Sequence, residues 1–265
     1  VMSNESVQTK DLDREWDCFM PRFCGCIPYP IWQYLQGQNV EALEDRKEQF
    51  LNDVRLASSL EEEIVRIAFA LRDCDGNIAN ILSLELEGLL RPCNVRKRYE
   101  LILKDAPIVG ASVHFGEPNK RFGIAVSVES AMSLVIATNG MPCWACLGST
   151  GLRTLQMPET VREVCCDAET SGIVEEAAAA LADRLRATGR SVALAIPPCE
   201  ALELFGIVSW HDAWMRACQL AFTIVIRSNS GCGLPDFEVL CLTATEFVAV
   251  CGNGRQNEAR RQEMG

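Results

Sequence analysis

Two acidic residues separated by one alanine follow a short apolar stretch. Asp167 and Glu169 come after the run from Val161 to Cys166, which predicts a buried strand. Carboxylates at the end of a strand can bind Mg²⁺ together, because this cation prefers oxygen ligands. With a third carboxylate from a neighbouring strand end, the pair would support metal-assisted phosphoryl chemistry. The commoner alternative is that both residues cap the next helix, where negative charge is favourable.

A second group of candidate residues is basic. Between residues 91 and 104, five cations are opposed by a single acidic residue, Glu100. Four of them, with two cations further along the chain, form a candidate nucleic-acid-binding set: Arg91, Arg96, Lys97, Arg98, Lys120 and Arg121. Contacts to phosphate need only positive charge. The pattern therefore predicts a site for DNA or RNA, and a solvated charged loop explains it equally well.

The sequence contains 14 cysteines, and two of them, Cys143 and Cys146, form a Cys-x-x-Cys pair. A redox pair of this type lies at the N-terminus of a helix, where the pKa of the thiol falls. Here the pair lies in a predicted strand, whose alternation places residues three apart on opposite faces. We therefore expect Cys143 and Cys146, like Cys165 and Cys166, to be small apolar residues of the core.

Residues that often bind zinc are few or poorly spaced. Cys18, Cys24 and Cys26 lack the paired Cys-x₂-Cys spacing of zinc modules, so no zinc is expected. The chain has only two histidines, His114 and His211, which argues against a histidine-based metal site or catalytic triad. We assign neither histidine a functional role, and a redox or metal-storage function is the least supported alternative.

The composition is that of an acidic globular protein. The chain has 265 residues with 25 Lys and Arg against 36 Asp and Glu, so its formal net charge is −11. Such acidity argues against a protein whose entire surface coats nucleic acid, but it is compatible with a local basic site. Residues 2–6 are polar and do not form an apolar export signal. We therefore expect a cytoplasmic protein with reduced thiols and no membrane partner.

Apolar strands and helices alternate between residues 121 and 198. The predicted strands cover residues 122–126, 142–147, 161–166 and 191–196, and the predicted helices cover residues 127–138, 152–155 and 173–188. This order, with short connections, predicts an α/β fold with an open parallel sheet and flanking helices. Such sheets bind their ligands at the carboxyl ends of the strands. A small α+β segment precedes the sheet, with a hairpin that turns at Asp75-Gly76.

Residues 122–134, 140–152 and 161–172 together resemble the Toprim domain of plasmid- and phage-type DNA primases. The hairpin and the basic stretch up to residue 116 resemble the segment that precedes Toprim in those primases. The resemblance covers roughly residues 64–198 and implies a Toprim-like, Rossmann-like fold. It also implies Mg²⁺ or Mn²⁺ as cofactor. The family holds this metal with a glutamate at the first strand end and an Asp-x-Asp at the third, for nucleotidyl transfer or strand cleavage.

The family's motif is incomplete in this sequence. Its Glu-Gly pair falls on Val126-Ser127, and Glu129 aligns with a second glutamate three residues later. Asp167 matches the first aspartate of the Asp-x-Asp, and Glu169 stands where the second would be. The resemblance thus implies Glu129, Asp167 and Glu169 as catalytic residues, with Asp167 and Glu169 as metal ligands. Because valine can neither bind a metal nor accept a proton, we expect a degenerate active site.

These features predict a primase-like protein of DNA replication or processing on a mobile element, with Mg²⁺-dependent nucleotidyl transfer if the site is active. The alternative is a catalytically inactive Toprim-derived scaffold that binds a protein partner in a nucleic-acid-handling complex. The expected regions are an N-terminal loop and helical segment (1–62), the basic primase-like segment (63–120), the Toprim-like domain (121–200) and a C-terminal extension with a polar tail (201–265). Within them, residues 23–30 predict a packed loop, residues 40–56 a charged helix and residues 237–250 one further element.

Overall fold

The computed structural model describes most of the first 195 residues and several short stretches beyond them. The described residues are 12–19, 26–57, 64–87, 96–103, 108–167, 172–195, 209, 211–212, 214–215, 225–227, 237–243 and 246–251. The predicted tail at 252–265 lies outside the described residues, as do Cys24, Arg91 and Glu169. Among the described residues, no helix is long and apolar enough to cross a membrane.

The described residues form helices and two β-sheets. The helices are α1 (Tyr29–Gly37), α2 (Lys47–Phe50), α3 (Val128–Ala137), α4 (Ser149–Thr154) and α5 (Gly172–Ala187), with a 3₁₀ helix at Glu41–Arg46. A further helical segment covers residues 12–18. The strands of the main sheet are β1 (Val54–Leu56), β2 (Ile64–Arg72), β3 (Ile78–Glu87), β4 (Arg96–Leu101), β5 (Ser112–Phe115), β6 (Arg121–Ala125), β7 (Cys143–Ala145), β8 (Glu163–Asp167) and β9 (Ser191–Ala195). A separate antiparallel sheet contains β10 (Val225–Arg227), β11 (Phe237–Thr243) and β12 (Glu246–Cys251).

The main sheet has parallel and antiparallel parts. Its strand order is β4-β3-β2-β5-β7-β6-β8-β9, and β1 pairs with β2 outside this order. Strands β7, β6, β8 and β9 are parallel neighbours, which confirms the α/β fold with a parallel sheet. Strand β5 is antiparallel to both β2 and β7. It therefore joins the predicted hairpin, β2 and β3, to the parallel strands in one continuous sheet.

Local sequence signals explain the first strand–helix unit. Helix α3 begins after Ser127, whose Oγ accepts a hydrogen bond from the backbone N–H of Ser130 at 3.1 Å. This contact satisfies one of the helix's free N–H groups. The helix is followed by Asn139 and Gly140, whose φ angles of 55° and 103° lie in the left-handed region. The observed helix, Val128–Ala137, therefore lies within the predicted range of residues 127–138.

The alternation of residues along the parallel strands divides the core between the two faces of the sheet. Cys143 and Cys165 belong to the cluster under α1 and α3, whereas Cys146 and Cys166 belong to the cluster under α4 and α5. Gly123 lies between Cys143 and Cys165 in the sheet. A Cβ atom on Gly123 would lie 3.0 Å from Cys143 Sγ and 3.0 Å from Leu134 Cδ2. Glycine at this position therefore lets α3 pack closely on the strands.

Three local predictions are wrong. Helix α1 begins at Tyr29, inside the predicted loop, because its prolines stand at the start of a helix, where a missing N–H costs nothing. The predicted helix over residues 40–56 is a 3₁₀ helix followed by α2, and it ends in strand β1. The buried–intermediate–buried pattern of β1 fits a strand that pairs with β2. The predicted single element over residues 237–250 is two strands, β11 and β12, that pair antiparallel.

Candidate functional site

The carboxyl ends of β6 and β8 lie side by side. Ile124 pairs with Cys166 in parallel register, so the next residues, Ala125 and Asp167, occupy neighbouring strand ends. Asp167 is fully buried, and Val126, which follows β6, is 5% exposed. The structure thus brings Asp167 next to the strand end at which the Toprim family carries its glutamate, and an apolar side chain occupies that position here.

Four thiols surround this part of the core. Burial raises the pKa of the Cys143 and Cys166 thiols well above their ordinary value, and the negative charge of Asp167 raises them further. Burial also raises the pKa of Cys146 to about 12. All four cysteines, including Cys165, are buried. Their raised pKa keeps the thiols of Cys143, Cys146 and Cys166 protonated at neutral pH. Because the thiolate is the reactive form, the three residues act as core side chains.

Glu129 lies in the first turn of α3 and is 8% exposed. Its Oε1 accepts hydrogen bonds from Tyr34 Oη at 3.2 Å and from Tyr99 Oη at 2.5 Å. The ammonium of Lys97 lies 3.2 Å from the same oxygen. Burial by itself would raise the pKa of Glu129, but the charge of Lys97 and the Tyr99 hydrogen bond outweigh it and hold the pKa below its usual value. The side chain of Glu129 is therefore ionised at neutral pH.

The two tyrosines are hydrogen-bond donors to this carboxylate at every ordinary pH. Burial raises the pKa of Tyr34 well above its usual value, and the charge of Glu129 raises it further. The same two causes, in the same order, raise the pKa of Tyr99. Neither phenol can act as a base, so both hold the carboxylate in place.

A second layer of polar contacts surrounds Lys97. Gln38 Oε1 accepts from Lys97 Nζ at 2.9 Å and lies 3.0 Å from His211 Nε2. Because an ammonium can only donate, Gln38 must present its oxygen here, and His211 must therefore donate from Nε2. His211 Nδ1 then accepts from Ser133 Oγ at 2.8 Å. Burial lowers the pKa of His211, and the net effect favours the neutral ring that this arrangement requires.

These contacts define one group of side chains, which we call the Glu129 cluster. Its members are Tyr34, Gln38, Lys97, Tyr99, Glu129, Ser133 and His211. They come from α1, β4, α3 and the segment around residue 211. Strand β4 is first and β6 sixth in the strand order of the sheet, yet the cluster joins β4 to the helix that follows β6.

The predicted basic set is divided between two places. Lys97 is in the Glu129 cluster, and its neighbour Arg98 pairs with Glu100 at 2.5 Å while 70% of the Arg98 side chain is exposed. Lys120 and Arg121 both pair with Glu163, at 3.5 Å and 3.1 Å. This Glu163 cluster lies at the opposite ends of β6 and β8 from Asp167. Arg96 begins β4, but its side chain lies outside the described residues, as does all of Arg91.

The described residues do not by themselves fit a Mg²⁺ ion. Asp167 stands at the strand end, but Val126 offers no ligand and the Glu129 carboxylate is held by an ammonium, which repels a metal cation. Within the described ranges, no group of three or more His, Cys, Asp or Glu side chains is arranged to hold a metal. Glu169, the other predicted ligand, lies outside them.

His114 lies away from the Glu129 cluster. Its ring stacks on that of Trp144, with centroids 3.9 Å apart and planes 6° from parallel. Burial lowers the pKa of His114 to about 3, and the charge of Arg72 contributes. The ring lines a cavity of about 430 Å³ that Asp53 also borders. His114 is therefore a neutral ring that stacks on Trp144.

Sequence reasoning found Glu129 and Lys97 but not their contacts. Two signals point to the missed residues. Glu129 and Ser133 are four residues apart, which places them on one face of a helix. Tyr99 directly follows the cations of β4, so its aromatic ring belongs to the same strand. The role of His211 was missed, because nothing local to it indicates its contact with Gln38.

Comparison with known proteins gives one family match. A family model described as a Toprim domain matches residues 121–219. No curated protein matches the chain.

Several solved structures are similar to the chain at low identity. The primase fragment of the bacteriophage T7 primase-helicase protein is 10% identical with a TM-score of 0.42, over 69% of this chain and 64% of that one. The chain thus spans less than two thirds of that fragment. The DnaG primase catalytic domain bound to ssDNA is 15% identical with a TM-score of 0.43, over 74% and 75% of the two chains. The Aquifex aeolicus primase, with its zinc-binding and RNA polymerase domains, is 12% identical with a TM-score of 0.34, over 83% and 59%.

The family match agrees with the order of parallel strands and helices from β6 to β9. The match over residues 121–219 confirms the resemblance to a Toprim domain that the sequence predicts for residues 121–200.

Proposed function

We propose that this chain is a primase-like protein of DNA replication or processing that binds a nucleic-acid strand beside its Toprim strand ends. One observation supports this proposal above the others. Lys97 Nζ lies 3.2 Å from Glu129 Oε1, so the basic strand β4 reaches the helix that follows β6. Positive charge and the end of a Toprim strand therefore share one region of the molecule.

Strand β4 offers the groups that single-stranded nucleic acid requires. Such proteins combine cations that contact phosphates with aromatic rings on which bases stack. Arg98 exposes 70% of its side chain and Tyr99 is 40% exposed. The contacts of Lys97 with Gln38 and Glu129 use two of the three donors of an ammonium. The net charge of −11 favours a local interface of this kind over a broad one.

Catalysis in this proposal depends on Asp167 and Glu169. A bound Mg²⁺ would supply charge stabilisation for phosphoryl chemistry, and these two residues are the proposed ligands. Asp167 lies beside the end of β6, which is the position that the proposal requires. The Glu129 carboxylate is held by three donors.

A second candidate function is a Toprim scaffold that has lost its chemistry and binds a protein partner. The observation that favours it is that the strand end lacks a free acidic side chain near the family's glutamate position. Val126 stands at the family's glutamate position, and the next acidic side chain, Glu129, is engaged by Lys97, Tyr34 and Tyr99. Valine cannot take a proton from a substrate hydroxyl, and the lowered pKa of Glu129 makes its carboxylate a weaker base than a free one.

Template-dependent primer synthesis with Mg²⁺ or Mn²⁺ separates the two candidates. The wild-type chain, Asp167→Asn and the control Glu163→Gln are assayed on a single-stranded DNA template, and circular dichroism verifies folding. Synthesis that Asp167→Asn abolishes and Glu163→Gln retains supports the enzyme. Absence of synthesis together with no binding of Mg²⁺ in isothermal titration supports the scaffold. A wild-type chain that does not bind the template contradicts the proposed function.

A further inference from the structure

The contacts of Glu129 suggest a role other than chemistry. Its Oε1 atom receives three donors that come from two elements, α1 and β4, while Glu129 itself belongs to α3. Only 10% of its side chain is exposed. The carboxylate is therefore the point at which these three elements are joined.

The second layer restrains the same lysine from the other side. Gln38 Oε1 accepts from Lys97 at 2.9 Å and is itself held by His211. His211 is in turn oriented by Ser133, one helical turn after Glu129 on α3. Lys97 is thus tied to α3 by two routes, directly through Glu129 and indirectly through Gln38 and His211.

Tyr99 is positioned by the same carboxylate. Its hydroxyl donates to Glu129 at 2.5 Å, while the residue remains 40% exposed. One end of the side chain is therefore anchored and part of its surface remains open to solvent. A ring held in this way loses little freedom when a planar group stacks on it.

We propose that Glu129 is a positioning residue whose carboxylate holds Lys97 and Tyr99 of β4 against α1 and α3, so that both side chains are presented to a nucleic-acid strand. This inference rests on the proposed function. It gives Glu129 a role in binding the nucleic-acid strand. In this role Glu129 is neither a metal ligand nor a proton acceptor.

For Glu129→Gln, this inference and simple electrostatics predict opposite changes in the affinity for nucleic acid. Replacing a carboxylate by an amide near bound phosphates removes a repulsion and, by charge alone, should strengthen binding. If Glu129 positions the cation and the ring, the same replacement should weaken binding. The salt dependence should also fall, because a lysine that no longer meets a phosphate no longer releases counterions.

Fluorescence anisotropy with a labelled single-stranded oligothymidylate tests this on the full chain. Glu129→Gln is expected to bind about tenfold more weakly than wild type, the loss of about one charge-assisted contact. Its slope of log affinity against log salt should be smaller by about 0.7, the value for one phosphate contact on a single strand. Glu163→Gln is the matched control, because it removes the same charge from a carboxylate that pairs with cations elsewhere in the molecule, and it should not lose affinity.

The outcomes separate this inference from the proposed function. If wild type binds and Glu129→Gln binds equally or more tightly with the same salt slope, the positioning role is wrong. If wild type does not bind, the proposed function itself fails. Should Glu129→Gln not fold, Tyr99→Phe replaces it, since this variant keeps every charge and the ring. Weaker binding by Tyr99→Phe supports the inference and unchanged binding contradicts it.

A spectroscopic titration provides an independent readout. The chain has three tyrosines, and the charge of Glu129 contributes to the raised pKa of two of them, Tyr34 and Tyr99. In Glu129→Gln the tyrosinate absorbance should therefore gain a component at lower pH than in wild type. An unchanged titration would show that the carboxylate does not hold these phenols.

Discussion

Two carboxylates of this protein are paired with cations near opposite ends of the parallel strands: Glu129 lies in the helix that follows β6, and Glu163 begins β8. The Glu129 side chain is 10% exposed and accepts from Lys97 and two tyrosines. The Glu163 side chain is 31% exposed, and its partners Lys120 and Arg121 are 74% and 49% exposed. The ion pair of Glu129 is thus largely shielded from water, whereas the ion pairs of Glu163 are in contact with it. Because exposed ion pairs contribute little to stability and the loss of one partner from a buried pair costs more, we expect the Glu129 pair to contribute more to stability than the Glu163 pairs.

Removal of Lys97 should have the largest effect on stability. In Lys97→Met the Glu129 charge stays buried without its cation, and we expect a loss of about 2–3 kcal/mol in the free energy of unfolding. Urea denaturation at neutral pH measures it. Arg121→Met, the matched change in the Glu163 cluster, should cost less than about 1 kcal/mol. Equal losses in the two variants would contradict the comparison.

Removal of one donor should have a smaller effect. Tyr99→Phe deletes a hydroxyl that donates to a charged acceptor, and we expect a loss of about 1.5 kcal/mol. The ring and all charges are retained, so the change isolates the hydrogen bond. Thermal unfolding measures the effect, with Tyr29→Phe at an exposed site as the control. A Tyr99→Phe protein as stable as wild type would show that the tyrosine adds nothing to the ion pair.

Lowering the pH should reduce the difference in stability between wild type and Glu129→Gln. The pKa of Glu129 is lowered in the folded chain, so its stabilisation is present above the unfolded value of 4.5 and is lost as the pH falls through the folded pKa. The difference in unfolding free energy between the two proteins should therefore shrink below pH 4.5. Urea denaturation between neutral and acidic pH measures this difference, and a constant difference would contradict the lowered pKa.

The smallest effect is expected at the exposed carboxylate. Glu163→Gln should change the free energy of unfolding by less than about 1 kcal/mol, because exposed pairs gain little and are screened by salt. The remaining difference should disappear as salt is added. A larger loss that persists in high salt would mean that Glu163 is as well shielded as Glu129, and the comparison would fail.

The parallel strands could be predicted because their signals are local. Ser127 caps α3, Asn139 and Gly140 end it, and the apolar runs on either side define the strands. The start of α1 was missed because prolines mark both loops and the first turn of helices, so a single sequence does not distinguish them. The other errors concern the short strand β1 and the division of residues 237–250 into β11 and β12.

The candidate site was only partly predictable for a different reason. The resemblance singled out Glu129, but Lys97 and Tyr34 are 32 and 95 residues away from it in the sequence. No periodicity links residues so far apart, because their contact depends on how β4 and α1 fold against α3. Lys120 and Arg121 were grouped with Lys97 on charge alone, and the strand order separates them.

The close packing at Gly123 has a consequence for the distant strand β4. Leu134, whose Cδ2 would be 3.0 Å from a side chain at that position, belongs to the same helix as Glu129. The distance between this helix and the sheet therefore sets where the carboxylate lies, and through it where the Lys97 ammonium is held. With alanine in place of Gly123, Leu134 or Cys143 must give way by a few tenths of an ångström, and any movement of α3 would reach the Glu129 contact without changing a residue that makes it.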